Sequence, residues 1–312
     1  MSAKIALLYE HPAWFTPLVA ALERRGVEVV HLDATQLRFD PSVVEPYALV
    51  VNRMSPSAGT RGNADALFAS LHYLEHLERT GVPVLNGVQA FRSELSKVTQ
   101  LGIFEDLGVR YPRTRVVNHT DQLAAAAADL RFPVVVKPNI GGSGAGIVEF
   151  ADRQALADSG SGLELGLDGT SLVQERLTAR GDRIVRVEVL GDRVLYAIEL
   201  DLTPGSFNLC PADYCLPEGA AGQLGEGPVR AVEPSPEVAR RAVEIIAASG
   251  AEIGGVEYLI DDHDGEAYFY DVNALSNFVA DAPRILGFDP HEDLADHIVA
   301  RATGRDRVVA VR

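Results

Sequence analysis

Residues 134–146 read VVVKPNIGGSGAG. The run of β-branched residues predicts a buried strand that delivers Lys137, and the turn that follows is too rich in glycine to serve packing. Gly141, Gly142, Gly144 and Gly146 can take φ > 0 and bring backbone N–H groups close to an anion, and Ser143 adds a hydroxyl. A P-loop places its Lys after the glycines and opens a helix; here Lys precedes them, so this is a different phosphate-binding arrangement. The plain alternative is a flexible hairpin turn.

Lysine usage sharpens the reading. The chain has 28 basic residues, of which only Lys4, Lys97 and Lys137 are lysines. A slim ammonium fits between phosphate oxygens where the wide guanidinium fork does not. Two further stretches carry chemistry. GGVEYLIDDHDGEAYFYDVNALSNF, residues 254–278, predicts two strands joined by an acidic turn. Asp271 and Asn273, two apart, project to one face, and Glu257 can meet them from the neighbouring strand. Three oxygen ligands without His or Cys suit Mg²⁺ held together with phosphate and water. SLVQERL, residues 171–177, predicts an apolar strand ending in Gln174–Glu175, which would offer backbone groups to a base and a carboxylate to a ribose.

Outside these stretches, 312 residues with 47% apolar and 23% charged content describe a globular chain of two or three lobes. A net charge of −16 excludes nucleic acid and anionic membrane as partners. No apolar run approaches the roughly 18–20 residues of a membrane span. The start MSAKIALLYEHP has no signal-peptide pattern, so a cytoplasmic location is expected. Cys210 and Cys215 have neither zinc nor CxxC spacing and read as plain thiols, and His72 and His76 lack further ligands for a metal.

Along the chain, strands at Lys4–Tyr9, Val27–Leu32, Tyr47–Asn52 and Val82–Asn86 alternate with helices at Trp14–Arg25 and Ala64–Arg79, which implies a parallel sheet. No GxGxxG follows the first strand. Asn52 and Arg53, at a strand end, are candidate ligand contacts. A helix over Leu95–Leu107, a strand at Arg113–Val117, and a helix over Thr120–Leu130 with Thr120 as N-cap come next. A hairpin at Arg183–Leu200 turns at Gly191–Asp192. Thr203–Pro228 reads as a long loop, and helices are predicted at Pro236–Ser249 and Glu292–Ala302.

Taken in order, these pieces resemble the ATP-grasp superfamily, and NGVQAFRSELSKVTQLGIFEDLGVRYPRT most resembles the branch of ribosomal-protein glutamate ligases and amino-group-carrier-protein ligases. The resemblance implies a three-lobed α/β and α+β fold. It would comprise an N-terminal parallel domain (1–88), a small central lid (89–175) and a C-terminal mixed-sheet domain (176–312), with the nucleotide between the last two. Lys97 and Lys137 would contact ATP phosphates, and Gly141–Gly146 would fold over them. Gln174, Glu175 and Leu177 would hold adenosine. Glu257, Asp271 and Asn273 would coordinate two Mg²⁺ ions, with Mn²⁺ also suited. Arg186 would stabilise the transferred phosphoryl group. Arg53, Ser276, Asn277 and Arg284 are candidate substrate contacts.

The implied activity is a carboxylate–amine ligase that passes through an acyl phosphate. Its partners would be small-molecule carboxylates and amines, or a peptide or carrier-protein acceptor, and homo-oligomers stay open. Two departures keep alternatives alive. Asp271 stands where many ligases carry Glu, as in family kinases, and ALSNF replaces a small-Pro-Gly turn. A small-molecule kinase and a nucleotide-binding protein without turnover are the rival readings.

Overall fold

The computed structural model describes residues 4–159, 162–202, 228–275 and 277–304. Its first part is a parallel sheet of β1 (Ile5–Tyr9), β2 (Val29–Asp33), β3 (Leu49–Asn52) and β4 (Val84–Leu85), ordered β2-β1-β3-β4. α1 (Thr16–Arg24) and α2 (Ala64–Arg79) cover it. α2 is legible because Leu67, Ser70, Leu74 and Leu77 recur at helical spacing and are buried; each Leu contributes about 2 kcal/mol of burial.

The helix expected over Leu95–Leu107 is in fact two, α3 (Val88–Leu95) and α4 (Lys97–Asp106). Ser96 breaks the run: its backbone is extended and its side chain accepts the Thr99 N–H, which starts a new helix. Neither helix joins the lid core. Phe91 and Leu95 pack into the cluster beneath α2, while Phe104 packs under the last sheet.

The lid is an antiparallel sheet of β5 (Thr114–Val117), β6 (Val134–Pro138), β7 (Val148–Phe150) and β8 (Ser171–Glu175), ordered β5-β8-β6-β7. α5 (Leu123–Ala126) and α6 (Arg153–Asp158) complete it around a core of its own that includes Leu130, Val136 and Phe150. The expected helix at Thr120–Leu130 is shorter. His119, not Thr120, caps a 3₁₀ turn over Thr120–Gln122, and Leu130 folds into the core after α5 ends.

The last sheet holds β9 (Arg183–Leu190), β10 (Arg193–Asp201), β11 (Val229–Ala231), β12 (Ile253–Ile260) and β13 (Ala267–Asn273), ordered β11-β10-β9-β12-β13. Its pairings are antiparallel throughout rather than mixed, because hairpins β9–β10 and β12–β13 meet along β9 and β12. α7 (Pro236–Ala248) packs on one face, and α8 (Ala282–Leu286) and α9 (Pro290–Thr303) follow β13. Arg24 of α1 and Arg25, which caps its end, pair with Glu292 of α9, and Arg25 also reaches Asp296, which ties the end of the described chain to the layer on its first sheet.

Asn86 makes a polar link between the first and last sheets. Its backbone is left-handed, at φ 57°, and its amide Nδ2 donates to the Ile253 carbonyl at 2.7 Å and to that of Ala274. Its Oδ1 accepts from the Glu252 N–H at 2.9 Å, and Asn52 in turn donates to the Asn86 carbonyl at 3.0 Å. Asn52 is thus spent on structure rather than on a ligand. Among the described residues no helix is long and apolar enough to cross a membrane. Cys210, Cys215 and most of the 203–228 segment lie outside the described residues.

Candidate functional site

A cavity of about 430 Å³ opens between the lid and the last sheet. Its floor comes from β9, β12, β13 and α4. In the antiparallel register Glu257 sits opposite Arg186 on one side and Asp271 on the other, and Asn273 sits opposite Gly255. A bulge after Glu257 shifts the β13 register there. Arg186 donates from Nε to Glu188 Oε1 at 2.6 Å and from Nη1 to Glu257 Oε1 at 3.0 Å. A Cβ on Gly255 would displace this pair, standing 2.7 Å from the Glu188 carboxylate and 2.8 Å from Arg186 Nε. Asn273 Nδ2 lies 3.4 Å from Glu257 Oε1 and 3.4 Å from Asp271 Oδ2, so the three candidate metal ligands converge.

Lys97 stands at the first turn of α4 and donates to Asp271 Oδ1 at 2.5 Å. Burial disfavours its charge, but the Asp271 carboxylate outweighs burial and holds its pKa above the usual lysine value. Two devices fix this lysine. Asn139 caps α4, its Oδ1 accepting the Val98 N–H at 3.0 Å. Gln100 clamps the helix to β13, donating to the Val272 carbonyl at 2.8 Å and accepting from its N–H at 3.1 Å. Because Asn139 lies two residues beyond Lys137, the strand that carries one lysine also caps the helix that carries the other.

The roof is the lid sheet. Lys137, only 6% exposed, points in from β6. Burial, and then the neighbouring Lys97 charge, bring its pKa down to about 8. Ser143, Gly144 and Gly146 take left-handed backbone, at φ 53°, 71° and 75°. The loop reaches across to the first part of the chain: a Cβ on Gly142 would lie 3.1 Å from that of Ser57. At the end of β8, Gln174 donates to the Thr114 hydroxyl at 2.8 Å. Glu175 Oε1 accepts the Arg131 N–H at 2.9 Å. Both side chains line the cavity, each with one polar group bonded within the lid.

Lys97, Lys137, Gly141, Gly142, Ser143, Gly144, Gln174, Glu175, Leu177, Arg186, Glu257, Asp271, Asn273 and Asn277 all line this cavity. Gly146, Arg53 and Arg284 do not. Gly146 packs behind the loop, where a Cβ would meet Pro138 Cγ at 2.8 Å. Arg53 is buried beside Glu188, Glu94 and Tyr196, and burial lowers its pKa to about 10. Arg284 is bound to Asp281 three residues before it. Ser276 lies outside the described residues.

Trp14, Ser55, Ser57 and Glu94 are among the lining residues that sequence reading missed. Trp14, Ser55 and Ser57 reach the cavity from the first part of the chain, and their sequence context carries no signal for it. Glu94, on α3, reads as a surface carboxylate of a helix. It lies instead in the cavity wall, where burial and then Asp271 push its pKa up to about 7 against the pull of Lys97 and Arg186.

The donor set fits Mg²⁺. Two carboxylates and an amide converge without His or Cys, and both carboxylates are already paired with cationic side chains, so the site is built to sit against positive charge.

The chain is 27% identical over 268 residues to the Probable alpha-L-glutamate ligase of Stutzerimonas stutzeri, covering 83% of this chain and 84% of that one. In fold it resembles D-cycloserine synthetase DcsG, with a TM-score of 0.70, 18% identity, and 96% and 100% of the two chains covered. It also resembles ATP-grasp ligase PsnB, solved with its minimal precursor, Mg and ADP, with a TM-score of 0.66, 20% identity, and 96% and 97% covered. The RimK-like ATP-grasp domain matches residues 96–298, more than half of the sequence, and the chain belongs to that family.

Proposed function

We propose that this chain is an ATP-dependent carboxylate–amine ligase that works through an acyl phosphate in the cavity between lid and floor. The observation that carries the reading is the convergence of Lys97, Lys137 and Arg186 with Glu257, Asp271 and Asn273 under the 141–146 loop. Lys137 and Lys97 hold the phosphates of ATP, with the loop N–H groups as further donors. Backbone groups of residues 174–177 take the adenine edge. Glu257, Asp271 and Asn273 hold Mg²⁺, one ion or two, and Mn²⁺ suits the same ligands. Mg²⁺, when bound, neutralises charge on the phosphate oxygens.

In this scheme a donor carboxylate oxygen attacks the γ-phosphorus, and the bond to the bridging oxygen breaks, leaving ADP. Lys137 and Arg186 offset the negative charge on the phosphoryl oxygens during transfer. The amine then displaces phosphate from the acyl carbon. The loop, seated against Ser57, keeps water from the labile intermediate. The relatives named alpha-L-glutamate ligase and the peptide-bound PsnB favour an amino acid or peptide on at least one side of the bond.

The test is a pairwise screen of amino acids, dipeptides and small carboxylates for ADP release, with hydroxylamine as a trap. A hydroxamate is expected in the presence of ATP and Mg²⁺. A stable phosphorylated product that never traps would replace the ligase reading with a kinase.

A further inference from the structure

We propose that Glu94 anchors the ammonium group of the incoming amine substrate, making it the residue that selects a cationic acceptor. This rests on the ligase reading above and assigns one half of the substrate pair to a side chain.

The placement of the carboxylate carries the inference. The Ala274 N–H, just after the metal-binding strand, lies near enough to favour the ionised carboxylate. Its Oε2 is closed off from bulk water and has no hydrogen-bond partner among the described residues. A buried, unsatisfied carboxylate oxygen costs free energy unless a ligand completes it. The Glu94 side chain lines the cavity, so a ligand there can meet the carboxylate and, by a small turn of the side chain, draw Oε2 forward.

The surroundings restrict what that ligand is. Asp271 lies near enough to oppose the Glu94 charge, and Lys97 is already committed to Asp271 and Arg186 to Glu188 and Glu257. A phosphate or a second carboxylate would be repelled. An ammonium would donate to the Glu94 carboxylate, which no cation pairs at salt-bridge distance among the described residues. Leu275 and Asn277, which follow the Ala274 contact, line the same cavity, as do Ser55 and Ser57. A bound ammonium there lies beside the strands that hold the phosphoryl site; once it has passed a proton to the phosphate oxygens, its nitrogen bonds to the acyl carbon as the C–O bond to phosphate breaks.

The experiment uses the full chain with ATP and Mg²⁺ and two kinds of nucleophile. Hydroxylamine is uncharged at neutral pH, whereas the twenty L-amino acids present ammonium groups. Glu94→Gln keeps the shape and removes the charge; Glu94→Asp keeps the charge and shortens the arm. In Glu94→Gln, the KM for the amino-acid acceptor rises at least about tenfold, the value of one lost charged contact. The ratio of amino-acid-dependent to hydroxylamine-dependent turnover falls by a similar factor, the KM for ATP changes far less, and Glu94→Asp recovers part of the loss.

An acceptor KM within twofold of wild type in a folded Glu94→Gln protein overturns the proposal. So does an equal fall with both nucleophiles, which would place Glu94 in phosphoryl transfer or metal binding instead. If wild type yields neither hydroxamate nor ADP with any pair, the ligase reading fails and takes this assignment with it; that outcome is distinct from a selective failure of the variant.

Discussion

The floor and the roof of the cavity bury cationic side chains in opposite ways. On the floor every cation faces a carboxylate: Arg186 meets Glu188 and Glu257, and Lys97 meets Asp271. On the roof Lys137 is buried to 6% exposure with no carboxylate within ion-pair distance among the described residues, and its pKa falls to about 8. The floor is electrostatically complete before substrate arrives, whereas the roof is completed only by an anion. A site split in this way holds its metal ligands in place and leaves one positive group waiting for phosphate.

Substitutions can break that contrast. Arg186→Met should have the largest effect, because it strands Glu188 and Glu257 in the interior. Loss of one partner of a buried pair costs about 3–5 kcal/mol, and denaturant unfolding should show that loss together with abolished turnover. Lys137→Met should also lower turnover, by about 10²–10³-fold, as expected for removing one transition-state charge contact. Its stability effect has the opposite sign.

A lysine whose pKa drops from 10.5 to about 8 on folding imposes a penalty that is fully present below pH 8 and fades as pH rises toward 10.5. Lys137→Met should therefore unfold at higher denaturant near pH 7, by a margin on the order of 3 kcal/mol or less, and should lose the rise in stability that wild type shows above pH 8. A variant that is both inactive and less stable would refute the contrast. Gly142→Ala should do least. Its methyl would press on Ser57 and lift the loop, raising the KM for ATP several-fold with stability held within about 1 kcal/mol.

The sequence shows some of this and hides the rest for physical reasons. Lys137 with its glycine-rich turn, and the Glu257, Asp271 and Asn273 set, were legible because strand periodicity of two fixes which side chains share a face, and the register then brings them together. The 16 residues of α2 were legible from their buried stripe. The break at Ser96 was hidden by apolar residues on both sides that keep a helical pattern. β11 escaped because three residues at the end of a glycine-rich run carry no periodicity. Glu94 escaped because no local pattern tells a carboxylate turned into a cavity from one turned to water. Glu175 was read as a ribose contact, and only tertiary structure shows one of its carboxylate oxygens accepting the Arg131 N–H.

The Gln100 clamp has a consequence for acceptors of larger size. β13 is the edge strand of its sheet, and an open edge invites an extended peptide to add as a further strand. At Val272 the Gln100 amide already occupies both backbone groups, and at Phe269 the N–H is taken by the Arg110 carbonyl at 2.9 Å. Strand addition along β13 is therefore closed. A peptide acceptor would have to meet this floor by a route other than pairing with β13.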